Sequence, residues 1–250
     1  MRDSDRQVLE LLKNGKPMFA EELAEGTGLS KATVYRVIKR LHSEDLIDRI
    51  APGIAVIKQP ETAFDVRLKA NIEKKREIAS KAVALVEDGD AIFVDASTTC
   101  LAFVQELAKS ELSGLSIVTN STYVVNELDE RAGDFYIVCT GGELQPSLNA
   151  LVGSMVRSRL EVMKFNKAFV SCAAFSLERG LMTTQTSLVD VTRAASESAS
   201  SVIVLVDSTK FEKQALLNAL GLSRVSVVVS DKGLPRQIRT VLQSKGIQVL

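Results

Sequence analysis

The sequence predicts an α/β protein in which a small helical domain precedes a larger domain built on a mostly parallel sheet. From about residue 91 onward, short apolar runs alternate with polar turns and helical segments, which is typical of parallel strands covered by helices on both faces. Residues 1–58 show short helical segments and one hairpin pattern instead. Between them, Gln59-Pro60-Glu61-Thr62 is a polar break, so we expect two domains, residues 1–58 and 59–250.

The composition is that of a globular protein and excludes several classes. Of 250 residues, 46% are hydrophobic and 25% are charged, which is enough for one sizeable core and a small extra domain. No apolar run approaches the roughly 20 residues of a membrane span, and the N-terminal MRDSDRQ lacks the apolar segment of a secretion signal. We therefore expect a cytoplasmic protein without a membrane partner. The net charge is zero, so any nucleic-acid-binding surface has to be local.

The cysteines and the single histidine argue against metal and redox chemistry. Cys100, Cys139 and Cys172 are odd in number and lack paired spacing, which disfavours a disulfide framework or a zinc site. Each lies beside a polar turn, so a redox switch is an alternative, but small buried thiols usually behave as hydrophobic residues. His42 ends a basic helix, where a solvated or capping role is expected. We expect no metal site and no cofactor.

The first 45 residues have the pattern of a helix-turn-helix motif. Val8, Leu9, Leu11 and Leu12 follow helical spacing, and Asn14-Gly15 with Pro17 predicts the end of that helix. A short second helix is expected over Glu21–Ala24, ended by Gly26-Thr27-Gly28-Leu29. Ser30 then stands where a helix N-cap belongs. Two short helices joined by such a turn are typical of this motif.

The third predicted helix, Lys31–His42, concentrates positive charge. Its apolar face consists of Val34, Val37, Ile38 and Leu41, and its four basic residues have no acidic counterpart between Ser30 and His42. Such a helix fits the major groove of DNA, with its early residues facing base edges and its later ones nearer phosphates. The alternative is a solvated basic helix in a protein–protein module. The candidate DNA-binding residues are Ser30, Lys31, Thr33, Tyr35, Arg36, Lys39, Arg40 and, from the next segment, Arg49.

A hairpin is predicted to follow this helix, as the wing of a winged helix-turn-helix domain. Its arms are Leu46–Ile50 and Ile54–Ile57, and Ala51-Pro52-Gly53 forms the turn. Arg49 on the first arm is the residue expected to contact a phosphate.

The second domain is predicted to begin with one long helix and to continue as strands alternating with helices. The helix runs from Phe64 to about Glu87, with Ile72, Ile78, Ala79, Ala82, Val83 and Val86 as its apolar stripe. Strands are expected at Ala91–Val94, Leu115–Val118, Phe135–Cys139, Lys167–Ser171, Val202–Val206, Val225–Val229 and Ile247–Leu250. Helices are expected near Thr99–Ala108, Thr122–Arg131, Leu151–Val162, Leu188–Ala199 and Pro235–Ser244.

Polar turns follow five of these strands, where ligands bind in open α/β sheets. The turns are Asp95–Thr99, Thr119–Ser121, Thr140–Glu143, Ser171–Ala174 and Asp207–Lys210. They collect hydroxyls, glycines, an amide and a lysine, which suits a small polyhydroxylated anion. Ordinary turn chemistry is the alternative for each turn separately. The candidate effector-binding residues are Asp95, Ser97, Thr98, Thr99, Thr119, Asn120, Ser121, Thr140, Gly141, Gly142, Asp207 and Lys210.

Each group has an expected role at that edge. The helix that begins after Asp95 can hold an anion on its free N–H groups, so Ser97-Thr98-Thr99 is a candidate phosphate cradle. Asn120 and the hydroxyls can exchange hydrogen bonds with sugar hydroxyls, and Gly141-Gly142 permits close backbone approach. Lys210 offers a charge for a phosphate, while Asp95 and Asp207 can accept from hydroxyls or orient the lysine.

Taken together, these motifs resemble the sensor domain of DeoR-type bacterial transcriptional regulators. The resemblance rests on EKKREIASKAVALVEDGDAIFVDASTT from Glu73, VTNS from Val118, TGGEL from Thr140, GLMTT from Gly180 and VDSTKF from Val206. It implies a fold shared with ribose-5-phosphate isomerase and glucosamine-6-phosphate deaminase, and a phosphorylated sugar or sugar-derived effector. It further implies a repressor, commonly a homodimer or homotetramer, that releases operator DNA when the effector binds.

The sequence departs from the family at both expected sites. Ser97 stands where the family often has the glycine of Gly-Thr-Thr, and Tyr35 and Val37 replace an arginine and an aspartate of the recognition helix. The alternative function is a sugar-phosphate isomerase or deaminase using the same crevice, with Asp95, Glu143, Asp207 and Lys210 for acid–base work. The fused helix-turn-helix motif and the lack of histidine in the second domain argue against it.

Overall fold

The computed structural model describes residues 2–13, 18–44, 46–51, 54–57 and 64–250, and it divides the chain into two compact units, Met1–Thr62 and Ala63–Leu250. We call these the N-terminal and C-terminal units. The expected boundary between residues 58 and 59 stays a prediction, because residues 58–63 lie outside the described ranges.

The N-terminal unit is a winged helix-turn-helix domain, as the sequence predicted. The strands form an antiparallel sheet in the order β1-β3-β2. The wing turn residues Pro52 and Gly53, and the helix-ending residues Asn14, Gly15 and Pro17, are outside the described part of the chain. In chain order the elements are α1 (Asp3–Leu12), β1 (Met18–Phe19), α2 (Ala20–Thr27), α3 (Lys31–Ser43), β2 (Ile47–Ala51) and β3 (Ile54–Ile57).

The second helix is longer than predicted, and its glycines explain why. Gly26 lies inside α2 and does not end it. A Cβ at this position would come within 2.6 Å of Leu11 Cδ1, so the glycine lets α2 lie close against α1. The helix ends at Gly28, which has the left-handed conformation at φ +70° that terminates many helices. Ser30 then caps α3 as expected, since its Oγ accepts a hydrogen bond from Thr33 N at 3.2 Å.

The C-terminal unit alternates strands and helices over almost its whole length. Its elements are α4 (Phe64–Lys69), α5 (Ile72–Val83), β4 (Ala91–Val94), α6 (Thr98–Leu107), β5 (Ser116–Thr119), α7 (Thr122–Glu127), β6 (Tyr136–Cys139), β7 (Glu143–Gln145), β8 (Ala150–Val152), α8 (Ser154–Glu161), β9 (Phe165–Val170), β10 (Ala174–Ser176), β11 (Gly180–Thr183), α9 (Thr186–Glu197), β12 (Ala199–Leu205), β13 (Leu217–Leu220), β14 (Val227–Val229), α10 (Arg236–Ser244) and β15 (Gln248–Val249). Three short 3₁₀ turns complete it, at Asp129–Arg131, Ser208–Phe211 and Leu222–Arg224.

Seven of these strands form one parallel sheet in the order β15-β14-β12-β9-β4-β5-β6. Every strand predicted for this sheet overlaps one of them. Two large apolar cores, one including Phe93 and Val204 and the other including Ile92 and Phe103, pack against the sheet. Neighbouring residues such as Ile92 and Phe93 point to opposite faces of a strand, so the sheet is covered on both faces, as predicted.

The long helix predicted from Phe64 to Glu87 is wrong, because it is two helices with a break at Asn71. Asn71 has φ +53°, a left-handed conformation that interrupts an α-helix and that asparagine tolerates better than most residues. The second helix ends at Val83. Ile72, assigned to the apolar stripe, is 45% exposed at the start of α5.

Five short strands outside the main sheet were not predicted. β7 pairs with β8, and β10, β11 and β13 form a second antiparallel sheet. The helix predicted from Leu151 begins only at Ser154, because Leu151 and Val152 belong to β8 and Gly153 turns the chain at φ +99°. Similarly, the helix predicted for Thr122–Arg131 ends at Glu127 and continues as a 3₁₀ turn. Among the described residues, no helix is both long enough and apolar enough to cross a bilayer.

Candidate functional site

Helix α3 has the two faces that its sequence predicted. Val34, Val37, Ile38 and Leu41 are at most 1% exposed and belong to the core of the N-terminal unit. The side chains on the other sides reach solvent, with Lys31, Tyr35, Arg36 and Lys39 exposed and Thr33 half-buried. This exposed set can contact a large partner without unfolding any part of the unit.

The first turns of α3 are braced by their own polar side chains. Thr33 Oγ1 lies 2.9 Å from Ser30 Oγ and accepts a hydrogen bond from Arg36 Nη2 at 3.3 Å. Arg36 Nε also donates to the Ala32 carbonyl at 3.4 Å. Lys31 forms an exposed ion pair with Glu21 of α2 at 3.3 Å, a contact that contributes little stability in water. All four side chains can therefore exchange these partners for DNA at low cost.

Arg40 differs from the other basic residues of α3. It forms an ion pair with Asp5 of α1, whose side chain is 1% exposed. Burial by itself raises the pKa of Asp5, but the hydrogen bonds from Arg40 and from the Arg2 backbone lower it below its ordinary value. Any phosphate contact by Arg40 has to compete with this ion pair, so its DNA-binding role stays a prediction. His42 Nδ1 hydrogen-bonds with the Ile47 carbonyl at 3.1 Å, and the side chain of Arg49 lies outside the described part of the structure.

The main sheet brings the five predicted polar turns to one edge, which we call the carboxyl edge. The strands that carry them are consecutive in the order β12-β9-β4-β5-β6, and all run in the same direction. Adjacent strands lie about 4.8 Å apart, so the outermost two turns are separated by roughly 19 Å along this edge. A single sugar phosphate is shorter than that span, so it cannot contact every predicted residue at once.

At the centre of the carboxyl edge, Asp95 already organises the turn predicted as a phosphate cradle. Its Oδ1 accepts from Ser97 N at 2.8 Å and its Oδ2 from Ser171 N at 2.6 Å, which ties the ends of β4 and β9 together. Ser97 Oγ caps α6 by accepting from Cys100 N at 3.1 Å. Thr98 and Thr99 are buried in the first turn of α6. A carboxylate beside the helix N-terminus opposes the approach of a second anion.

In the turns after β5 and β6, the side chains of Thr119, Asn120, Ser121 and Thr140 are buried, and their hydroxyls hydrogen-bond to nearby backbone groups. Thr119 Oγ1 accepts from Ser121 N at 3.1 Å, Ser121 Oγ accepts from Val124 N at 3.4 Å, and Thr140 Oγ1 donates to the Gly141 carbonyl at 3.2 Å. Asn120 is 1% exposed and holds β8, since its Nδ2 donates to the Leu151 carbonyl at 3.0 Å.

The glycines after β6 have a packing role that the sequence did not indicate. A Cβ on Gly142 would come within 2.6 Å of Val156 Cγ2 and 2.7 Å of the Val152 carbonyl, and the residue has φ +115°. Gly141 has φ +68° and faces Met155 Sδ at an ordinary 3.6 Å. Close approach of a ligand to this pair stays a prediction, but the packing of β8 and α8 already requires glycine at position 142.

At the end of β12, Asp207 connects its own turn to the break between α4 and α5. Its Oδ1 accepts hydrogen bonds from Thr209 N at 3.1 Å, from the Thr209 hydroxyl, and from Asn71 Nδ2 at 3.4 Å. Asn71 Nδ2 also lies 3.5 Å from Thr209 Oγ1. The break between α4 and α5 is therefore fastened to the turn that carries Lys210. Sequence reasoning missed Asn71, because it stood inside a helical pattern without glycine or proline.

Three cations gather near Asp207, and only Lys210 was predicted among them. Burial lowers the pKa of Lys210, nearby Lys213 and Arg67 lower it further, and Asp207 opposes them. Lys75, which is 5% exposed, has its pKa lowered to about 8 by burial and by the charges of Lys210 and Arg67, against the opposing effect of Asp207. We call Arg67, Lys75 and Lys210 the cationic cluster.

Helix α4 lies against this cluster and against the neighbouring turns. Lys75 Nζ donates to the carbonyl of Arg67 and lies 3.5 Å from that of Leu68, the last turn of α4. Arg67 Nη2 donates to the Ser147 carbonyl, in the loop between β7 and β8, at 3.3 Å. Phe64 is 5% exposed and stacks on Tyr123 of α7, with ring centroids 4.9 Å apart. Helix α4 is therefore held by α5, by the loop between β7 and β8, and by α7.

Further groups extend the carboxyl edge toward β14. Asp231 accepts from Ser208 N at 2.6 Å and from Gly233 N at 2.9 Å, and Lys74 Nζ donates to Ser208 Oγ at 2.7 Å. Burial raises the pKa of Asp231, but these hydrogen bonds and Lys74 lower it below its ordinary value. Sequence reasoning missed Lys74 and Asp231, although Ser230-Asp231 follows a strand just as the other five turns do.

The three cysteines lie near these turns as free thiols. Burial raises the pKa of Cys172 to about 12, and Asp95 and Asp207 add to that rise while Lys210 opposes it. Burial also raises the pKa of Cys100. Thiols in this state are poor nucleophiles. Among residues 2–13, 18–44, 46–51, 54–57 and 64–250, no three histidine, cysteine or acidic side chains are grouped as a metal site.

Two family models match the chain, one on each unit. A model described as the DeoR C-terminal sensor domain matches residues 70–232, and a helix-turn-helix domain model matches residues 5–51. The first covers well over half of the 250 residues.

Curated relatives match over nearly the full length. The HTH-type transcriptional regulator GlpR of Haloferax volcanii is 28% identical over 98% of this chain and 95% of its own. The glycerol-3-phosphate regulon repressor of Escherichia coli K12 is 28% identical over 97% of this chain and 95% of its own. Among solved structures, a D-ribose-5-phosphate isomerase in complex with phospho-erythronic acid is 18% identical and covers 56% of this chain and 53% of its own, with a TM-score of 0.42.

Proposed function

Because the chain belongs to the DeoR family of transcriptional regulators, we propose that it is a repressor whose operator binding is relieved by a phosphorylated sugar or sugar-derived metabolite. The metabolite binds at the carboxyl edge, and α3 of the N-terminal unit reads the operator. The observation that carries the proposal is the cationic cluster, which stands among uncharged polar turns at the end of a parallel sheet.

The cationic cluster is the better of the two candidate phosphate sites. At the N-terminus of α6 lies the Asp95 carboxylate, which accepts hydrogen bonds from Ser97 N of its own turn and from Ser171 N of the turn after β9. Around Asp207, by contrast, Arg67, Lys75 and Lys210 outnumber the single carboxylate, and the pKa values of both lysines are lowered by burial and by neighbouring positive charges. A phosphate dianion arriving there relieves that repulsion, so its binding is favoured by charges that the folded protein already holds together.

The relatives support the same chemistry. The printed name of the Escherichia coli relative states repression of a glycerol-3-phosphate regulon, and glycerol 3-phosphate is itself a phosphorylated polyol. From 28% identity over nearly the full length, we infer a related regulator with a related type of effector. The alternative of an isomerase or deaminase is not favoured, since these relatives are regulators and a shared fold does not imply a shared activity.

Helix α4 is the proposed route from the effector to the N-terminal unit. It is the first described element after residue 63, and its last turn is held by Lys75, while Asn71 ties the following break to Asp207. A phosphate that draws Lys75 or Lys210 toward itself weakens these contacts and shifts α4. Relief requires that the effector bind the two arrangements with different affinity, and a typical coupling of about 1–3 kcal/mol changes operator affinity about 5- to 150-fold.

We further propose that the repressor acts as a homodimer or homotetramer. A single helix-turn-helix domain reads one half-site, and two copies related by a two-fold axis read the two halves of a palindromic operator. Light scattering on the purified full chain measures this directly, and a monomer at operator-binding concentrations would contradict it.

A cytoplasmic location follows from the proposal, because a repressor acts where the chromosome lies.

The experiment that tests the function is a DNA titration with and without effector candidates. Duplexes that the full chain selects from a random pool are labelled, and their affinity is measured with sn-glycerol 3-phosphate, D-ribose 5-phosphate, D-fructose 6-phosphate, D-glucosamine 6-phosphate and inorganic phosphate. We expect at least one phosphorylated sugar to weaken binding by about fivefold or more, and its unphosphorylated parent to have no effect. Failure to select any duplex, or an unchanged affinity across the panel, contradicts the proposal. Turnover of ribose 5-phosphate or glucosamine 6-phosphate supports the enzyme instead.

A further inference from the structure

Two asparagine side chains at the end of β5 are buried with one amide atom each unpaired. In the described part of the chain, Asn120 Oδ1 and Asn149 Nδ2 have no hydrogen-bond partner. Asn120 is 1% exposed and Asn149 is 7% exposed. Leaving a buried polar atom unpaired is unfavourable, so each such atom calls for a partner that the folded chain itself does not supply.

The orientation of the Asn120 amide is fixed by its hydrogen bond to Leu151 in β8. Its Nδ2 donates to the Leu151 carbonyl at 3.0 Å, and Leu151 N donates back to the Asn120 carbonyl at 2.7 Å. Turning the amide over would place its oxygen against the Leu151 carbonyl oxygen, and two acceptors repel each other. Oδ1 is therefore a fixed acceptor that requires a donor.

Asn149 is held at the same turn from the other side. It has a left-handed backbone at φ +51°, and its Oδ1 accepts from Thr122 Oγ1 at 2.7 Å. Thr122 is two residues beyond Asn120, so both amides are fastened to the segment Asn120-Ser121-Thr122. If the Asn149 amide is turned over, its Nδ2 donates to the Thr122 hydroxyl, which can either donate or accept. The other amide atom of Asn149 is then unpaired, so one atom lacks a partner in both orientations.

We propose that Asn120 and Asn149 form a hydroxyl-binding subsite that selects effectors carrying an alcohol group away from their phosphate. This inference rests on the proposed function. The ligand hydroxyl donates to Asn120 Oδ1 and accepts from Asn149 Nδ2, and a hydroxyl is the common sugar group that does both. A phosphate dianion only accepts, so Asn120 Oδ1 repels it. An ammonium would be buried beside amide groups without a carboxylate among their named partners, which is unfavourable.

The position of the subsite agrees with a ligand that has two different ends. β5 is three strands from β12 in the sheet order, roughly 14 Å along the carboxyl edge, with the turns of β9 and β4 between them. Because the Lys210 side chain is long and extends from the β12 turn, a ligand has to span less than the full distance between the turns of β12 and β5. A phosphate at the cationic cluster thus directs the rest of a polyol chain toward β5.

Calorimetric titration of the full chain with matched ligand pairs tests this proposal. The pairs are sn-glycerol 3-phosphate against n-propyl phosphate, and D-ribose 5-phosphate against 2-deoxy-D-ribose 5-phosphate, with inorganic phosphate as a probe of the cationic cluster alone. We expect the hydroxylated member of at least one pair to bind about tenfold or more tightly, because two hydrogen bonds are lost in its partner.

Asn149→Gly is the principal variant, because glycine suits the left-handed backbone while removing the amide. In the Asn149→Gly variant, the preference for the hydroxylated ligand should fall to about threefold or less. Its affinity for inorganic phosphate should stay within about twofold of that of the unsubstituted protein. Asn120→Leu should do the same if it folds. The matched control is Asn166→Ala, since Asn166 accepts from Ala91 N at 2.8 Å at the opposite edge of the sheet. That variant should keep the full preference.

The outcomes separate the inference from the function on which it rests. Binding of phosphorylated probes without any preference for hydroxyls overturns the subsite. A preference that survives in Asn149→Gly also overturns it. If no phosphorylated probe and no inorganic phosphate binds, the proposed effector site itself has failed.

Discussion

Helix α3 and the carboxyl edge of the main sheet hold their polar side chains in different ways. On α3, Lys31, Tyr35, Arg36 and Lys39 are exposed, and the contacts of Lys31 and Arg36 are ones that water can replace. At the carboxyl edge, Thr119, Asn120, Thr140 and Asp207 are at most 2% exposed and hydrogen-bonded into the chain.

The difference indicates what kind of partner each region suits. An exposed row of basic side chains is suited to a large polyanion, whose contacts replace solvent without disturbing the fold. Buried polar groups are suited to a small ligand, which the surrounding turns can enclose and whose groups complete hydrogen bonds that water cannot reach. Substitutions of the exposed α3 side chains should therefore change binding alone, whereas substitutions at the carboxyl edge should change binding, stability or both.

The largest effect is expected for Lys210→Gln. Removing a half-buried charge from a phosphate contact should weaken effector binding about 100-fold, because charge-assisted hydrogen bonds contribute about 1.5–3 kcal/mol. Operator affinity without effector should be unchanged. Calorimetry with the effector identified in the DNA titration measures the first, and fluorescence anisotropy with labelled operator measures the second.

Lys213→Gln is the matched control for Lys210→Gln. Lys213 is exposed and lies three residues further on, so its loss removes an equal charge that acts on Lys210 from outside the cationic cluster. An effect of less than about threefold is expected, as is usual for a screened surface charge. Equal losses in both variants would mean that only the general field of the edge attracts the effector, not Lys210 itself.

Asp5→Asn tests whether Arg40 belongs to the fold or to the DNA contact. The substitution keeps an acceptor for Arg2 N but removes the charge that pairs with Arg40. Hydrogen–deuterium exchange of the full chain should become about tenfold faster or more in α1 and α3, because removing one partner of a largely buried pair is destabilising. Asp3→Asn, in the same helical turn but exposed, should change exchange little. If Asp5→Asn tightens operator binding without faster exchange, Arg40 serves mainly DNA.

Sequence reasoning worked best where one physical signal fixes the structure. The buried runs Ala91–Val94 and Val202–Val206 predicted parallel strands because only apolar residues suit a strand covered on both faces. Ser30 was recognised as the cap of α3 because a cap depends on residues three apart. These signals are local, so they can be read without knowing the rest of the fold.

The missed features depend on contacts between residues far apart in the chain. Lys75 looked like any lysine of a mixed-charge helix, and its burial follows only from the way α5 meets α4 and the carboxyl edge. The pairing of Arg40 with Asp5 joins positions 35 apart, so it left no mark on the basic helix that contains Arg40. The packing role of Gly142 likewise depends on Val156 and the Val152 carbonyl, which a Cβ at this position would approach within 2.7 Å.

Arg36→Ala should have a moderate effect on DNA and none on the effector. If Arg36 contacts a base edge or phosphate, its loss weakens operator binding about tenfold or more. The exposed side chain contributes little to the fold, so the melting temperature should stay unchanged. Arg76→Ala, on the exposed face of α5, is the control for loss of an arginine elsewhere and should leave operator binding intact. A shifted melting temperature in Arg36→Ala would contradict the contrast between the two regions.

The smallest effect expected is the pH dependence of effector binding, and it follows from Lys75. Its pKa is lowered from 10.5 to about 8, so it loses its proton as the pH rises from 7.5 to 9, whereas a phosphate monoester is already a dianion over most of that range. Effector affinity should therefore fall about five- to tenfold between these pH values.

The stability of the free protein should change in the opposite direction, rising between about pH 8 and 10.5, because there the unfolded chain holds a proton that folded Lys75 has lost. Lys75→Gln should weaken both trends and leave what the lowered pKa of Lys210 contributes, and calorimetry together with thermal melting at each pH measures them. If affinity and stability moved in the same direction, Lys75 would not be the group that titrates, and the buried part of the cationic cluster would have no role in recognising the effector.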